Sequence, residues 1–362
     1  MKEIELKDAS QIRIIGRTGK NRNPAVLYWT GSRMVLRVTG SELWVKLTAS
    51  YHTFEPWINL LINGVSVSRR MVMPGTGWIC LFRGMDPQKE KTVELVKETQ
   101  AMSQEPDQLL AVWAIRTDGE LLDVPEKKYR LEFIGDSITS GEGGIGSTQE
   151  TEWISMWFSA VDNYACMTAQ ALDAEYHVVS QSGWGVLSGW NNDPHGNIPS
   201  CYDQVCGVQA QEEAKQPWDF SSWQPDAVII NLGTNDGGAF HSPAYTDPKT
   251  GETFCQRCLE DGSMNPADRE RFVQAVIRFL YQIRRHNPAA KLVWVYGMID
   301  TFMEEAILDA LDRFKKESGD LEASYLRLPA VTQETVGARS HPGHMAHRQA
   351  ASALTEYLRT IL

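Results

Sequence analysis

Three short segments of this chain carry the residue types that acyl transfer requires. Gly135-Asp136-Ser137-Ile138 closes the apolar run Tyr129–Gly135 and reads as a buried strand delivering a serine to the carboxyl edge of a sheet, the edge where open α/β sheets bind ligands. Asn231-Leu232-Gly233-Thr234-Asn235-Asp236 ends a second such run, and Ser340-His341-Pro342 comes late in the chain. A serine hydroxyl becomes a competent nucleophile only when a neighbouring base takes its proton. The attacked carbonyl also needs donors for the charge that develops on its oxygen. Ser137, the imidazole of His341 and the side-chain amide of Asn235 are those parts. The backbone N–H of Ser137 is a further donor, and Ser182-Gly183-Trp184-Gly185 adds N–H groups with no side chain in the way. The chemistry predicted is ester hydrolysis through an acyl-serine, with no cofactor. Taken singly, Ser137 and Asn235 also fit turns and His341 a helix start, but their order at successive strand ends argues for one shared site. The nucleophile elbow G-x-S-x-G is absent, because Thr139 holds its fifth position.

The elements that must position these residues follow from the hydrophobic pattern. From Tyr129 onward, apolar runs alternate with helix-period segments, which predicts a parallel sheet. The strands expected are Tyr129–Gly135, Tyr176–Ser182, Asp226–Gly233, Lys291–Gly297 and Ser324–Pro329. Helices are expected over 162–174, from Asn265-Pro266 to just before Asn287-Pro288, over 303–317 and over 344–362. An Asn cap followed by Pro opens the second of these. Five parallel strands covered on both faces make a three-layer αβα domain over 126–362. Residues 1–125 instead show short β-rich runs, several of them alternating, separated by turn signals such as Asn63-Gly64 and Pro74-Gly75. That pattern predicts an all-β sandwich or jelly roll. Residues 186–224 and 237–264 exceed ordinary loop lengths, which favours a lid or binding loop on the Ser137 edge.

With 362 residues, 42% hydrophobic and 22% charged, the chain fits a globular protein with a substantial core. A net charge of −11 leaves no electrostatic footprint for nucleic acid and disfavours an anionic membrane surface. No stretch approaches the ~20 apolar residues of a membrane helix. The start, Met1–Asp8, lacks the apolar segment of a signal peptide, so the chain reads as cytoplasmic, or as secreted if a leader has been removed.

Six cysteines do not make a disulfide scaffold at this length. Cys201 and Cys206 form C-x4-C, and Cys255 and Cys258 form C-x2-C. The four read either as a structural zinc site or a pair of bridges, or as reduced thiols in two long loops. His344 and His347 follow His341 at intervals of three and read as capping or solvated residues at a helix start. Of the twelve tryptophans, Trp29, Trp44, Trp113 and Trp294 sit in strand patterns and are expected in the core, whereas Trp184 and Trp190 follow a strand end and are placed to line a cleft.

Gly-Asp-Ser-Ile, Ser-Gly-Trp-Gly, Gly-Thr-Asn-Asp and the late His-Pro, in that order over 129–362, resemble the four blocks of the SGNH (GDSL) hydrolases. With a β-domain ahead of them, the whole is similar to carbohydrate esterase family two, which joins a jelly roll to a flavodoxin-like SGNH domain. The resemblance implies a carbohydrate O-acetyl esterase, acetylxylan-esterase-like, acting on acetylated oligo- or polysaccharide. A general acyl esterase or an acyltransferase on another substrate, and a non-catalytic carbohydrate-binding protein, are the alternatives. It makes Ser137 the nucleophile, His341 the base, and Ser137 N–H, Gly185 N–H and Asn235 the oxyanion hole. Gly185 is preferred to Gly183 because it stands five residues past Ser180, the place of a strand-end Asn in many relatives. The family's acid usually stands three residues before the histidine, where this chain has Ala338, and no carboxylate lies between Glu334 and His341. The resemblance therefore implies a Ser–His dyad with Nδ1 of His341 held by a main-chain carbonyl.

Overall fold

The computed structural model describes residues 1–362. Its first 122 residues form two antiparallel sheets. One runs in the order Lys2–Glu5, Leu109–Thr117, Glu42–Ser50 and Gly75–Arg83, with Ala25–Val26 against Leu109–Thr117. The other runs Leu121–Leu122, Arg33–Val38, Lys91–Lys97, Trp57–Ile62 and Val65–Met71, with Arg13–Ile15 on Arg33–Val38. Asn63 and Gly64 are both left-handed, with φ of 52° and 79°, the backbone a two-residue hairpin turn requires. Alternation fixes which face is buried. In Glu42–Ser50, Leu43, Val45, Leu47 and Ala49 enter the shared core while Glu42, Trp44, Lys46 and Thr48 face outward. Trp44 is thus not a core residue, and neither is Trp113, whose indole N–H donates to Thr48 Oγ1 at 2.7 Å on that outer face. Trp29 and Trp294 are fully buried. A β-rich pattern alone does not say on which face of a strand a tryptophan falls.

The third sheet is parallel throughout, in the order Ala174–Ser180, Tyr129–Gly135, Ala227–Asn231, Lys291–Tyr296 and Ala323–Arg327. Its strands are apolar runs because both faces are covered. Val228, Ile230, Leu292 and Trp294 point to the core beneath the helices Pro266–His286 and Glu304–Ser318. Ala227, Ile229, Val293 and Val295 point to the opposite core, beneath Tyr164–Ala171 and His344–Ile361. The Asn265 side chain accepts from the N–H groups of Ala267 and Asp268 and sets the start of the longest helix. The second strand starts and ends two residues earlier than the sequence suggests, because its ladder stops where Ser180 pairs with Gly135 and the chain turns at Gly183, φ 80°. No helix is long and apolar enough to cross a membrane.

Residues 186–224 do not form a lid. Val186, Ile198, Tyr202, Val205 and Phe220 are part of the larger core, so the segment is packed structure, mostly irregular but with the short helices Glu212–Lys215 and Phe220–Ser222. It also receives the sandwich. Arg17, fully buried, donates from Nη2 to Glu132 Oε1 at 2.8 Å and from Nη1 to the carbonyls of Tyr202 and Gln204. Trp29 Nε1 donates to the Val205 carbonyl at 2.8 Å. Glu98 accepts from Asn59 Nδ2 and from the N–H groups of Ala160 and Val161. Gln100 Oε1 accepts the Ser182 N–H at 2.8 Å. Charged groups buried this deeply need partners; Arg17 finds its partners across the two units, with only its Nε unpaired, and Glu98 finds them on both sides.

Candidate active site

Three strand ends and the loop ahead of the last helix meet in one cleft of about 470 Å³. Gly135 ends the first strand, and a Cβ there would lie 2.0 Å from Thr139 Oγ1, so only glycine lets the next turn fold back this closely. Asp136 caps that turn, its Oδ1 accepting from the Ile138 N–H at 3.0 Å. Ser137 opens the one-turn helix Ser137–Ser140, which stops at left-handed Gly141. Its Oγ lies 3.0 Å from His341 Nε2. With the proton on Nδ1, the imidazole donates to the Arg339 carbonyl at 2.9 Å and leaves Nε2 free to accept from the serine hydroxyl. Arg339 and Ser340 are both left-handed, φ 56° and 58°, and this turn aims the Arg339 carbonyl back at the ring.

Asn235 stands in the first turn of Thr234–Ala239, past the third strand, and lines the cleft with Ser137 and His341. Its Nδ2 donates to the Trp184 carbonyl at 3.0 Å and to Asp136 Oδ2 at 3.2 Å.

Gly185 is not in the cleft. Its N–H donates to the Gly196 carbonyl at 3.1 Å and its own carbonyl accepts from Ile198, a bridge to residues 196–198. Gly183 takes its place: it lines the cleft, and its N–H makes no hydrogen bond within the protein. Counting from Ser180 misleads because the left-handed turn at Gly183 reverses the chain at once. Trp184 likewise packs its ring on the apolar core and brings only its carbonyl to the site. Trp190, 56% exposed, is the tryptophan of that segment facing the cleft.

Four lining residues were not legible from the motifs: Glu142, Arg339, Trp153 and Gln104. Glu142 alone left a signal, a carboxylate among Gly141, Gly143 and Gly144 directly after the serine turn. It is buried, accepts from Arg339 Nε at 2.8 Å and lies 3.7 Å from His341 Nε2. Burial works against its charge, but His341, Ser182, Arg339 and Trp153 together hold its carboxyl below the usual carboxylate range. Asp136 behaves oppositely. Burial pushes it up to about 7 against the Ile138 N–H, and the charges of Asp236, Glu142 and Asp300 add to the rise.

The remaining candidates do not converge. His347 is buried, and burial pushes it down to about 3, with His341 and His344 adding to the effect; its Nδ1 faces the Tyr164 N–H at 3.4 Å. His344 pairs with Asp162 at 3.2 Å. The four loop cysteines form no zinc site: Cys201 and Cys206 lie in the apolar core, Cys258 packs against that core at intermediate exposure, Cys255 is also of intermediate exposure, and no three His, Cys, Asp or Glu side chains are grouped to hold a metal. Burial raises the Cys201 thiol to about 12 and the Cys206 thiol to about 11.

Residues 133–323 match the model of the GDSL-like lipase/acylhydrolase family. The chain is 26% identical to the cellulase/esterase CelE of Acetivibrio thermocellus over 94% of its own length, but it spans only 40% of that protein. It is 24% identical to an acetylxylan esterase / glucomannan deacetylase of Cellvibrio japonicus, covering 97% of this chain and 89% of the other. Among solved structures, the acetyl xylan esterase Est2A of the rumen bacterium Butyrivibrio proteoclasticus superposes with a TM-score of 0.98 at 43% identity, over 99% of both chains. A family two carbohydrate esterase from Clostridium thermocellum, solved with cellohexaose, shares the fold with a TM-score of 0.81 at 24% identity, over 96% of this chain and 98% of that one.

Proposed function

This chain belongs to the GDSL-like lipase/acylhydrolase family, and from that premise we propose that it is a carboxylic ester hydrolase removing acetyl groups from acetylated polysaccharide of the xylan class. Ser137 Oγ attacks the acetyl carbonyl carbon while its proton passes to His341 Nε2. The tetrahedral oxyanion is received by Asn235 Nδ2 and by the backbone N–H groups of Gly183 and Ser137. Collapse expels the sugar oxygen, which takes the proton from His341, and leaves acetyl-Ser137. A water activated by the same imidazole then attacks the acyl-serine and releases acetate. The Arg339 carbonyl fixes tautomer and ring orientation, the orienting part that an aspartate plays in a triad.

The observation that carries this reading is the relay from Arg339 O through His341 to Ser137 Oγ, with contacts of 2.9 and 3.0 Å, opening on a cleft lined mainly by polar groups. The full-length likeness to an acetyl xylan esterase at 43% identity supports the substrate class. Exposed Trp190 at the cleft offers an indole face against which a sugar ring can stack. Acetate release from acetylated xylan and from nitrophenyl acetate tests the proposal. The wild type should turn over both, Ser137→Ala neither, and acetyl esters should be cleaved faster than octanoyl esters. Residual turnover above a few per cent in Ser137→Ala would remove that residue from the nucleophile's role.

A further inference from the structure

The relay described above lacks a charge. A main-chain carbonyl orients His341, but it offers the imidazolium far less stabilisation than a carboxylate. A carboxylate is nevertheless present on the other side of the ring. Glu142 lies five residues past the serine, its N–H bound to the Ser137 carbonyl at 3.0 Å. Its side chain is 3% exposed, and Oε1 stands 3.7 Å from His341 Nε2, the nitrogen that receives the proton. The same Oε1 accepts from Arg339 Nε at 2.8 Å. Arg339 is the residue whose carbonyl holds Nδ1, and its left-handed backbone is fastened at several points: its N–H to the Glu150 carbonyl at 2.8 Å, its Nη1 to the Thr151 carbonyl at 2.7 Å, and the neighbouring Ala338 N–H to the Gly143 carbonyl at 3.2 Å.

We infer that Glu142 is a positioning residue with two tasks: through Arg339 it fixes the carbonyl that orients His341, and from the Nε2 side it supplies the negative charge that this relay lacks on the Nδ1 side. The inference rests on the reading of Ser137 as nucleophile and His341 as base. The titratable and charged groups around the imidazole are Glu142 and Arg339 on the cleft wall, Asp136 below the serine, and His344 and His347 on the last helix, with His344 paired to Asp162. Glu142 is the anion in closest recorded approach to Nε2, and an opposite charge at that range favours the protonated ring.

The test uses the full chain and the variants Glu142→Gln, Glu142→Asp and Arg339→Ala, each read by kcat and KM on nitrophenyl acetate across pH and by thermal unfolding. Removing the anion in Glu142→Gln should lower kcat by ~10–10² with KM little changed and should move the acid limb of kcat/KM to lower pH. Glu142→Asp should fall between it and the wild type. Arg339→Ala removes a cation and a tether, so kcat should drop while the limb moves the other way, to higher pH. Limbs that stay in place in Glu142→Gln and Arg339→Ala, whatever happens to kcat, would overturn the charge role; a kcat in Arg339→Ala equal to the wild type would overturn the positioning role. NMR titration of the His341 ring in Ser137→Ala, with and without Glu142→Gln, needs no turnover. It judges Glu142 even if the ester-hydrolase reading fails, and a ring titration unmoved by Glu142→Gln would overturn the charge role on its own.

Discussion

Asn235 and Asp136 share one hydrogen bond and should answer mutation in different ways. On the proposed mechanism Asn235→Ala deletes a donor to the oxyanion and not to the bound ester, so kcat should fall by ~10²–10³ with KM nearly constant; an effect confined to KM would place Asn235 in substrate binding instead. Asp136 controls stability through its proton. Its folded-state value, about 7, is above that of an unfolded aspartate, ~3.9. Between those values the native chain holds a proton that the unfolded chain has lost. This contribution to stability is therefore complete below the unfolded value and is lost as pH rises through about 7. Asp136→Asn keeps the acceptor for the Ile138 N–H but cannot ionise. Its melting temperature should fall less between pH 5 and pH 8 than that of the wild type, and an equal fall would mean that Asp136 is ionised throughout. Ser137, Asn235 and His341 were legible in the sequence because each follows a signature that itself marks a strand or loop end. Glu142 and Arg339 were not, since a carboxylate and a guanidinium acquire meaning only when the fold sets them against one ring.

Between the serine turn and the last helix, two loops hold each other in place. Gly143 is left-handed, φ 69°, and a Cβ on it would lie 2.3 Å from the Ala338 carbonyl and 2.6 Å from His341 Cβ. Gly143→Ala should therefore displace the histidine loop, and activity should fall at least tenfold, as expected when a reacting group is misplaced by a fraction of an ångström. Stability should drop by more than the ~1–2 kcal/mol that a left-handed backbone alone costs, because the Ala338 carbonyl must also shift; kcat on nitrophenyl acetate and a thermal scan check both halves, and unchanged kcat would show that the loop yields without moving the ring. At this scale the sequence was informative about strands and caps and weak about direction. The parallel strands were readable because burial on both faces makes them uninterrupted apolar runs. The sequence put Gly185 at the cleft where the structure puts Gly183, because no pattern announces that the chain reverses on leaving Ser180. The spacing of the loop cysteines left a zinc site, a pair of bridges and reduced thiols open, and Cys201 and Cys206 serve as small apolar side chains in a core.

Over the whole molecule, the sandwich is joined to the parallel sheet by buried polar ties. Without the sandwich, Glu132 loses Arg17, the N–H groups of Ala160 and Val161 lose Glu98, and the Ser182 N–H loses Gln100, and a buried ion stripped of its partner costs about 3–5 kcal/mol. A chain starting at Glu126 should accordingly show no cooperative melting by circular dichroism and no ester turnover; a folded, active fragment would show that these ties are dispensable. The bond from the Ser182 N–H to Gln100 carries this one step further. It comes from the β-sandwich and ends on the residue before Gly183, which lines the cleft with its N–H unpaired within the protein. The site is therefore shared property of both units. Recombination that exchanged the sandwich for another module would carry off part of the catalyst with it, so the smallest piece that can be inherited, shuffled or grafted as a working esterase is the two units together.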